Sequence, residues 1–378
     1  NIPAMEHQNV FEERVLRRFD RLDQRIRVNA ESRFEKPVRA AEFYAYDDKE
    51  STAKKTHIVI AWLLGDSSDL LKRLEAQLLA SALLDDGASP LRYLLETTTL
   101  GLAPSPLCGI EDSMREMVFC CGLEGSDPAD AKLLEKEVIT LLKKIADEGI
   151  AEERLDAAMH QLELQQREIT GDSYPYGLSL ILQGLSFAAH YKNPIDALNL
   201  ESTIGELQKK IKDPTYIRKL AKTLLLENNH RLTLTLEPDR NLSEARNLAE
   251  TQRLEELKTR LSDVDRNEII KRTADLARRQ LSKDDESVLP KVGIEDIPQS
   301  IADINFTTKV DNNLRLTSYN RGTNGLVYQQ ATRPFPNLKI EELKLTSHYI
   351  SLLTELGIGE TDYLSVQERQ SESVGSIN

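Results

Sequence analysis

Residues 162–185, LELQQREITGDSYPYGLSLILQGL, decide how this chain is read. Glu163, Gln166, Arg167 and Glu168 are strong helix formers and close one long helix. Thr170-Gly171-Asp172 breaks the pattern, and Tyr174-Pro175-Tyr176-Gly177 opens the next helix. A proline near a helix start, with Ser or Asp just before it, is N-terminal capping chemistry. The second helix, 178–189, is apolar on nearly every side, which predicts burial.

Upstream of this stretch the pattern is β-rich, then helical. Residues 41–46 and 56–64 read as strands. The second, THIVIAWLL, is a near-continuous apolar run that suggests a central strand, and the charged 47–55 between them suits a hairpin connection. Asp66-Ser67-Ser68-Asp69 caps a predicted helix over 70–84, whose leucines recur at three and four residues. A short helix follows to Glu96, then strands over 101–107 and 114–123, then a helix from Asp127-Pro128 to Glu148 that Gly149 ends, then a longer one to Ile169. Downstream come two short helical pieces after Asn193-Pro194 and a helix over 214–226. Residues 231–236 (RLTLTL) alternate as a half-buried strand should. Mixed strands with helices following in groups argue an α+β fold: a mainly antiparallel sheet covered on one face by helices.

Both ends of the chain change character. Residues 10–34 are dense in charge, with Val10, Phe11, Val15, Phe19 and Leu22 at helical spacing, and read as a linker helix. Residues 241–283 are charged and almost free of glycine and aromatics, with leucines at helical spacing that Ser262-Asp263 interrupts. This predicts a helical hairpin. Strands are expected over 305–310, 314–319 and 326–330 and a helix over 339–356, a second, partial α+β domain.

The net charge of −13 argues against general nucleic-acid binding, which needs clustered Lys and Arg on the phosphates. No apolar run approaches the roughly 18 residues of a membrane span. Cys108, Cys120 and Cys121 are an odd number, and two of them adjoin on a strand where side chains point to opposite faces. No disulfide framework follows, and a reducing, intracellular compartment is expected, the cytoplasm or an organelle matrix.

The order and spacing of Glu163, Arg167, Glu168, Thr170, Gly171, Pro175, Gly177, Leu178, Ser179 and Leu180 resemble a block of the presequence-protease branch of the insulinase/pitrilysin zinc peptidases. Leu289-Pro290 with Asp296-Ile297, and Thr323-Asn324-Gly325 before Tyr328, resemble later passages of that branch. Position 176 departs from it: Tyr stands where Arg is usual. The resemblance implies four regions. Residues 1–34 would link from a catalytic domain outside this chain; 35–240 would be the non-catalytic half of the N-terminal lobe; 241–283 the hairpin; 284–378 the start of the C-terminal lobe. It implies a parent that degrades short unstructured peptides in a closed chamber, with this chain as chamber wall and hinge, and an excised portion of a longer protein. The alternative is a non-catalytic scaffold or partner-binding subunit of the same superfamily. Expected partners are unstructured peptides, the catalytic domain and the remaining C-terminal lobe, with no nucleic acid and no membrane.

The chemistry of that parent needs H-x-x-E-H on a helix, two histidines on one face with a motif glutamate that activates water on zinc. None of His7, His57, His160, His190, His230 and His348 stands in such a motif or in H-E-x-x-H. His160 and Glu163 come nearest, but Leu164 occupies the second histidine's place. The helix over 70–84, which the resemblance equates with the zinc helix, holds no histidine. No catalytic residue, cofactor-binding residue or metal ligand is therefore assigned: zinc is expected in the parent and not here. Arg167 with Glu163 and Glu168 reads as a helix ion-pair cluster, Tyr174 and Tyr176 as packing residues, Cys120-Cys121 as part of a buried strand, and Asn324-Gly325 as a turn.

Overall fold

A computed structural model describes residues 2–22, 24, 26–46, 49–169, 175–283, 293–300, 303–312, 314–334 and 336–377, with side chains from Met5 onward. The Thr170-Gly171 break, Tyr174 and Leu289-Pro290 fall outside the described residues.

The main sheet holds β1 (Val38–Ala45), β2 (Thr56–Asp66), β3 (Ala103–Pro104), β4 (Gly109–Glu111), β5 (Glu116–Ser126) and β6 (Arg231–Asp239) in the order β1-β6-β2-β5-β3, with β4 also on β5. THIVIAWLL is indeed central: β2 runs antiparallel to β5 on one side and to β6 on the other. The hairpin expected across 47–55 is not formed. β6, which arrives some 175 residues later in the chain, lies between β1 and β2 and runs parallel to β1. Its leucines explain the insertion. Leu232 and Leu234 stand opposite Ala61 and Val59 on one side and beside Val38 and Ala40 on the other, giving apolar cross-strand pairs on both edges. The strand expected over 101–107 shrinks to two residues, and β4 adds a short strand with no apolar run to announce it.

Register sorts the two faces. Ile58, Ile60 and Trp62 stand opposite Thr235, Thr233 and Arg231, and this face meets the helices. α2 (Leu70–Leu84), α3 (Pro90–Thr97), α4 (Ala131–Glu148) and α5 (Glu152–Arg167) supply Leu74, Leu78, Leu91, Leu95, Leu134, Val138, Leu142 and Met159 to one core with Phe119, Cys121 and Leu123 of β5. Each fully buried large side chain contributes roughly 1.5–3 kcal/mol. Leu232, Leu234 and Leu236 share the opposite face with Val59 and Ala61, and they remain half-buried. The fold is α+β: a mostly antiparallel sheet with helices on one face.

Local chemistry sets the helix ends. The Asp69 carboxylate accepts from Lys72 N at 3.2 Å and caps α2. Gly149, at φ 90°, ends α4. α6 (Tyr176–Ala189) leads through a 3₁₀ turn (Pro194–Leu198) to α7 (Leu200–Lys210), and α8 (Thr215–Ala221) continues into a π-turn over Lys222–Leu226. The Trp62 indole N–H donates to Leu225 O at 2.9 Å, and Asn228 Nδ2 donates to Leu224 O at 3.0 Å. These bonds absorb carbonyls that the wider turn leaves over.

α6 departs from its expected burial. Only Gly184 and Phe187 are buried, while Leu178, Ile181, Leu182 and Leu185 are 39%, 64%, 49% and 54% exposed. The helix touches its neighbours along one narrow line: Gly184 lies against Pro194, and the Phe187 ring lies under the Arg73 guanidinium, 5.6 Å from the centroid. Apolarity all round predicts burial only where partners exist on every side.

The linker helix expected over 10–34 is also shorter. α1 spans Ile2–Arg14, a 3₁₀ turn follows at Leu16–Arg18, and the described residues between 19 and 37 form no helix before β1. Val10, Phe11, Val15, Phe19 and Leu22 are all exposed. With no packed face, and with Arg14, Arg17, Arg18 and Arg21 repelling at helical spacing, nothing holds a longer helix.

After β6 come α9 (Leu242–Arg260) and α10 (Asp263–Leu281), joined at Leu261 and Ser262 with a Ser262–Asp265 capping box. Neither helix buries a residue. β7 (Phe306–Asp311) and β8 (Leu314–Tyr319) pair antiparallel, while the strand expected over 326–330 is irregular chain. α11 (Ile340–Leu352) and α12 (Tyr363–Ser373) close the order, and α12 packs on α5 with Val366 buried. Among the described residues no helix is long and apolar enough to cross a membrane.

Candidate functional site

α5 carries most of the side chains that the sequence singles out. Arg167 Nε donates to Glu163 Oε1 at 2.7 Å, one helical turn back, and Arg167 Nη2 donates to Glu201 Oε2 of α7 at 2.8 Å. Gln208 Nε2 donates to Glu163 Oε2 at 2.9 Å. The cluster thus bridges two helices, and its second acid is Glu201 rather than Glu168. Both oxygens of Glu163 are occupied, so it stands as a helix-joining group. Asn324 Nδ2 donates to Arg167 O at 3.0 Å. The Asn324-Gly325 turn therefore has positive φ at both residues, as a turn of this type requires, and also touches the end of α5.

A cavity of about 480 Å³ opens beside this cluster, lined among others by Arg167, Tyr176, Gln183, Leu198, Glu201 and Asn324. Among the described residues its lining holds no histidine or cysteine; beside the Arg167–Glu201 pair it carries the Glu168 carboxylate, the Tyr176 and Ser179 hydroxyls, amides and apolar side chains. The Arg167–Glu201 pair gives this side of the lining a helix-joining role. Replacing Arg167 by Met, which keeps the stem and deletes the charge, is expected to cost about 0.5–1 kcal/mol in urea unfolding, the value of a partly exposed pair. A loss above about 3 kcal/mol would mean that the cluster is buried in solution far more deeply than its geometry indicates.

The histidines are dispersed. His7 lies on α1, His57 on β2, His160 on α5, His190 at the end of α6, His230 just before β6 and His348 on α11. Among the described residues no three of His, Cys, Asp and Glu come together so as to hold a metal ion. α2, the helix equated with the zinc helix, buries ten of its fifteen residues. Its Glu75 accepts from Lys210 Nζ at 3.1 Å and from the Tyr216 hydroxyl. Burial and then this bond to Glu75 push the Tyr216 hydroxyl above the ordinary phenol range. The donor set on this helix does not fit zinc.

The cysteines are packing groups. Cys121 is fully buried on the helix side, and burial holds its thiol well above the usual range. Burial pushes Cys120 up to about 11 and raises Cys108 as well. A thiol held neutral is a poor nucleophile.

One polar node was invisible in the sequence. Arg154, near the start of α5, donates to Asp86 Oδ1 at 3.1 Å and Ser89 Oγ at 3.2 Å and pairs with Glu368 of α12 at 3.3 Å. Nothing in EERLDAAM distinguishes this arginine from a solvated one, because its partners lie 65 to 214 residues away.

Two family descriptions match the chain: "Peptidase M16 inactive domain" over residues 8–162, and the associated region of subfamily C of the M16 peptidases over residues 236–378. The chain is 26% identical to "Presequence protease, mitochondrial" of Xenopus tropicalis, over 100% of this chain and 37% of that one. It is 28% identical to the Mus musculus protein of the same name, over 98% of this chain and 36% of that one. The chain thus spans a little over a third of the length of the curated relatives that it matches. Among solved structures it is similar to a peptidase M16 inactive domain from Pseudomonas fluorescens, at 14% identity and a TM-score of 0.38, over 54% of this chain and 44% of that one.

Proposed function

Because the chain belongs to the insulinase-type M16 peptidases, in their presequence-protease branch, and matches a non-catalytic part of such an enzyme, we propose that it forms chamber wall and hinge of a zinc metalloendopeptidase acting on unstructured peptides. The carrying observation is the sheet. One face is packed by helices, while on the other Leu232, Leu234 and Leu236 stay half-buried beside Val59 and Ala61. A smooth, half-buried apolar face suits an extended peptide that brings no tertiary structure of its own. Residues 35–240 form the wall in this reading, 241–283 the hinge, and 284–378 the start of a second lobe. The zinc, its ligands and the water-activating glutamate belong to the parent's catalytic domain. Relatives named mitochondrial, and an odd number of cysteines that suggests no disulfide framework, support a reducing organelle matrix.

The test is cleavage of a long unstructured peptide by this chain with zinc, with and without chelator, and again after mixing with a catalytic domain that carries H-x-x-E-H. No turnover alone and chelator-sensitive turnover in the mixture is the expected result. Chelator-sensitive turnover by this chain alone would overturn the assignment of the zinc site to another domain. A mixture that stays inactive, although the two parts bind, would favour a scaffold.

A further inference from the structure

The extended segment 26–36 crosses the end of the sheet as a strap. Ile26 O accepts from the Tyr191 hydroxyl at 2.7 Å. Glu31 N donates to Glu116 Oε2 at 2.6 Å, and the Arg33 guanidinium pairs with the same carboxylate. Glu35 O accepts from Asn229 Nδ2 at 3.0 Å. Between these contacts sits Phe34. Its amide donates to His230 Nδ1 at 3.3 Å, and its ring stacks on the imidazole at 3.9 Å and 9°. The main chain of the histidine is fixed: its own amide donates to Asn228 Oδ1 at 2.9 Å, and its carbonyl accepts from Leu63 N at 3.1 Å.

We propose that residues 33–36 of this strap are a proton-sensitive tether, docked while His230 Nδ1 is a free acceptor and released when that nitrogen takes a proton. An imidazole nitrogen accepts the Phe34 N–H only when unprotonated; the imidazolium carries a donor on both nitrogens and would set N–H against N–H. The charged groups around it divide. From the strap, Arg33 opposes a second positive charge, while Glu31 favours it. From β5, Glu116 also favours it, but that carboxylate is already shared between Arg33 and the Glu31 amide. Glu227, from the turn after the π-segment, borders the same cavity of about 380 Å³. The stacked Phe34 ring would tolerate the cation. Burial leads, followed by Arg33, and together they hold His230 below the ordinary imidazole range.

The sign follows. The docked strap binds fewer protons at His230 than the released one. Docking is at full strength above the free imidazole value of about 6.5 and weakens as pH falls through the lower docked value. Residues 33–36 lead into β1, so their release would loosen the chain between the Glu31–Glu116 contact and β1 without unfolding the core.

The test is the protection factor of the Phe34 amide by NMR hydrogen exchange in the full chain, corrected for intrinsic rates. It is expected to fall at least about tenfold between about pH 7.5 and pH 5, with core amides of β2 unchanged; a tenfold change corresponds to one unit of proton linkage. In His230→Gln, whose carbonyl accepts without titrating, the protection should be independent of pH. Constant protection in the wild type, or the same pH-dependent loss in His230→Gln, overturns the tether. If His230→Gln fails to fold, Phe34→Pro, which deletes the donated N–H, decides: undocking should return the His230 titration to about 6.5, and an unchanged titration overturns the proposal.

Discussion

Gly122→Ala is expected to abolish cooperative folding of the sheet domain. Gly122 stands on β5 directly opposite Val59 of β2, at the centre of the sheet. A Cβ there would collide with the carbonyl oxygen of Ile58 and lie 2.9 Å from Val59 Cα. Both obstacles are backbone, so no rotamer change relieves them. The strands would have to part, breaking ladder hydrogen bonds and opening the core that Ile58, Ile60, Phe119 and Cys121 share. We expect a cost above about 4 kcal/mol, the range reserved for gross steric and packing failures. Against a total stability of about 5–15 kcal/mol that leaves little cooperative transition in urea, followed by circular dichroism. Gly205→Ala is the control: it lies inside α7, where an added Cβ meets nothing within 4 Å. It should stabilise by up to about 1 kcal/mol. A Gly122→Ala loss within about 1 kcal/mol of wild type would mean that β2 and β5 do not pair in this register.

The same glycine shows what sequence reading reaches and where it stops. VFCCGL reads as a strand because its apolar residues are continuous, and α2 reads to the residue because leucine spacing and the Asp69 cap are both local signals. That Gly122 must be glycine depends on which backbone passes beside it, which no local pattern encodes. The same limit explains the missed sheet order. Charge in 47–55 suggests a turn, but whether β1 pairs with β2 depends on the competition of a strand far along the chain. Apolarity misled at α6, where a helix greasy on all sides buries only Gly184 and Phe187 among the described residues. In the candidate site, Arg167–Glu163 was legible because the two residues lie four apart on one helix. Glu201, Gln208 and Asn324 were not, since they arrive from other elements. The absence of H-x-x-E-H is itself a sequence fact. The occupied state of Glu163 and Glu75 is structural, and it gives the physical reason why neither acid stands ready for a metal.

Arg154→Met is expected to detach α12 from α5 and to cost about 2–3 kcal/mol. The Arg154 side chain is 11% exposed and ties Asp86 and Ser89, at the turn between α2 and α3, to Glu368 on α12. Ser371 Oγ donates to the other Asp86 oxygen at 3.2 Å, and Gln161 Nε2 donates to Ser371 O and Val374 O at 2.7 Å each. Methionine fills the stem but leaves the largely buried Asp86 carboxylate without its cation. Breaking a buried pair from one side costs about 3–5 kcal/mol, and the residual solvent at Asp86 lowers that figure here. Glu368→Gln removes the other arm. Glu368 is 40% exposed, so its loss should cost no more than about 1 kcal/mol. The two variants therefore separate two roles for one arginine. If Arg154→Met is much worse than Glu368→Gln, and amide exchange shows α12 deprotected while β2 stays protected, Arg154 serves mainly to neutralise Asp86, and α12 docks on the surface so formed. If the two cost the same, the interaction with α12 carries the whole effect, and Asp86 is solvated without its partner. α5 lies largely in the region matched as the M16 inactive domain, and α12 in the region matched as the subfamily's associated part. A large effect from Arg154 alone would make one buried cation, with no sequence signal of its own, the point at which those two regions are fastened.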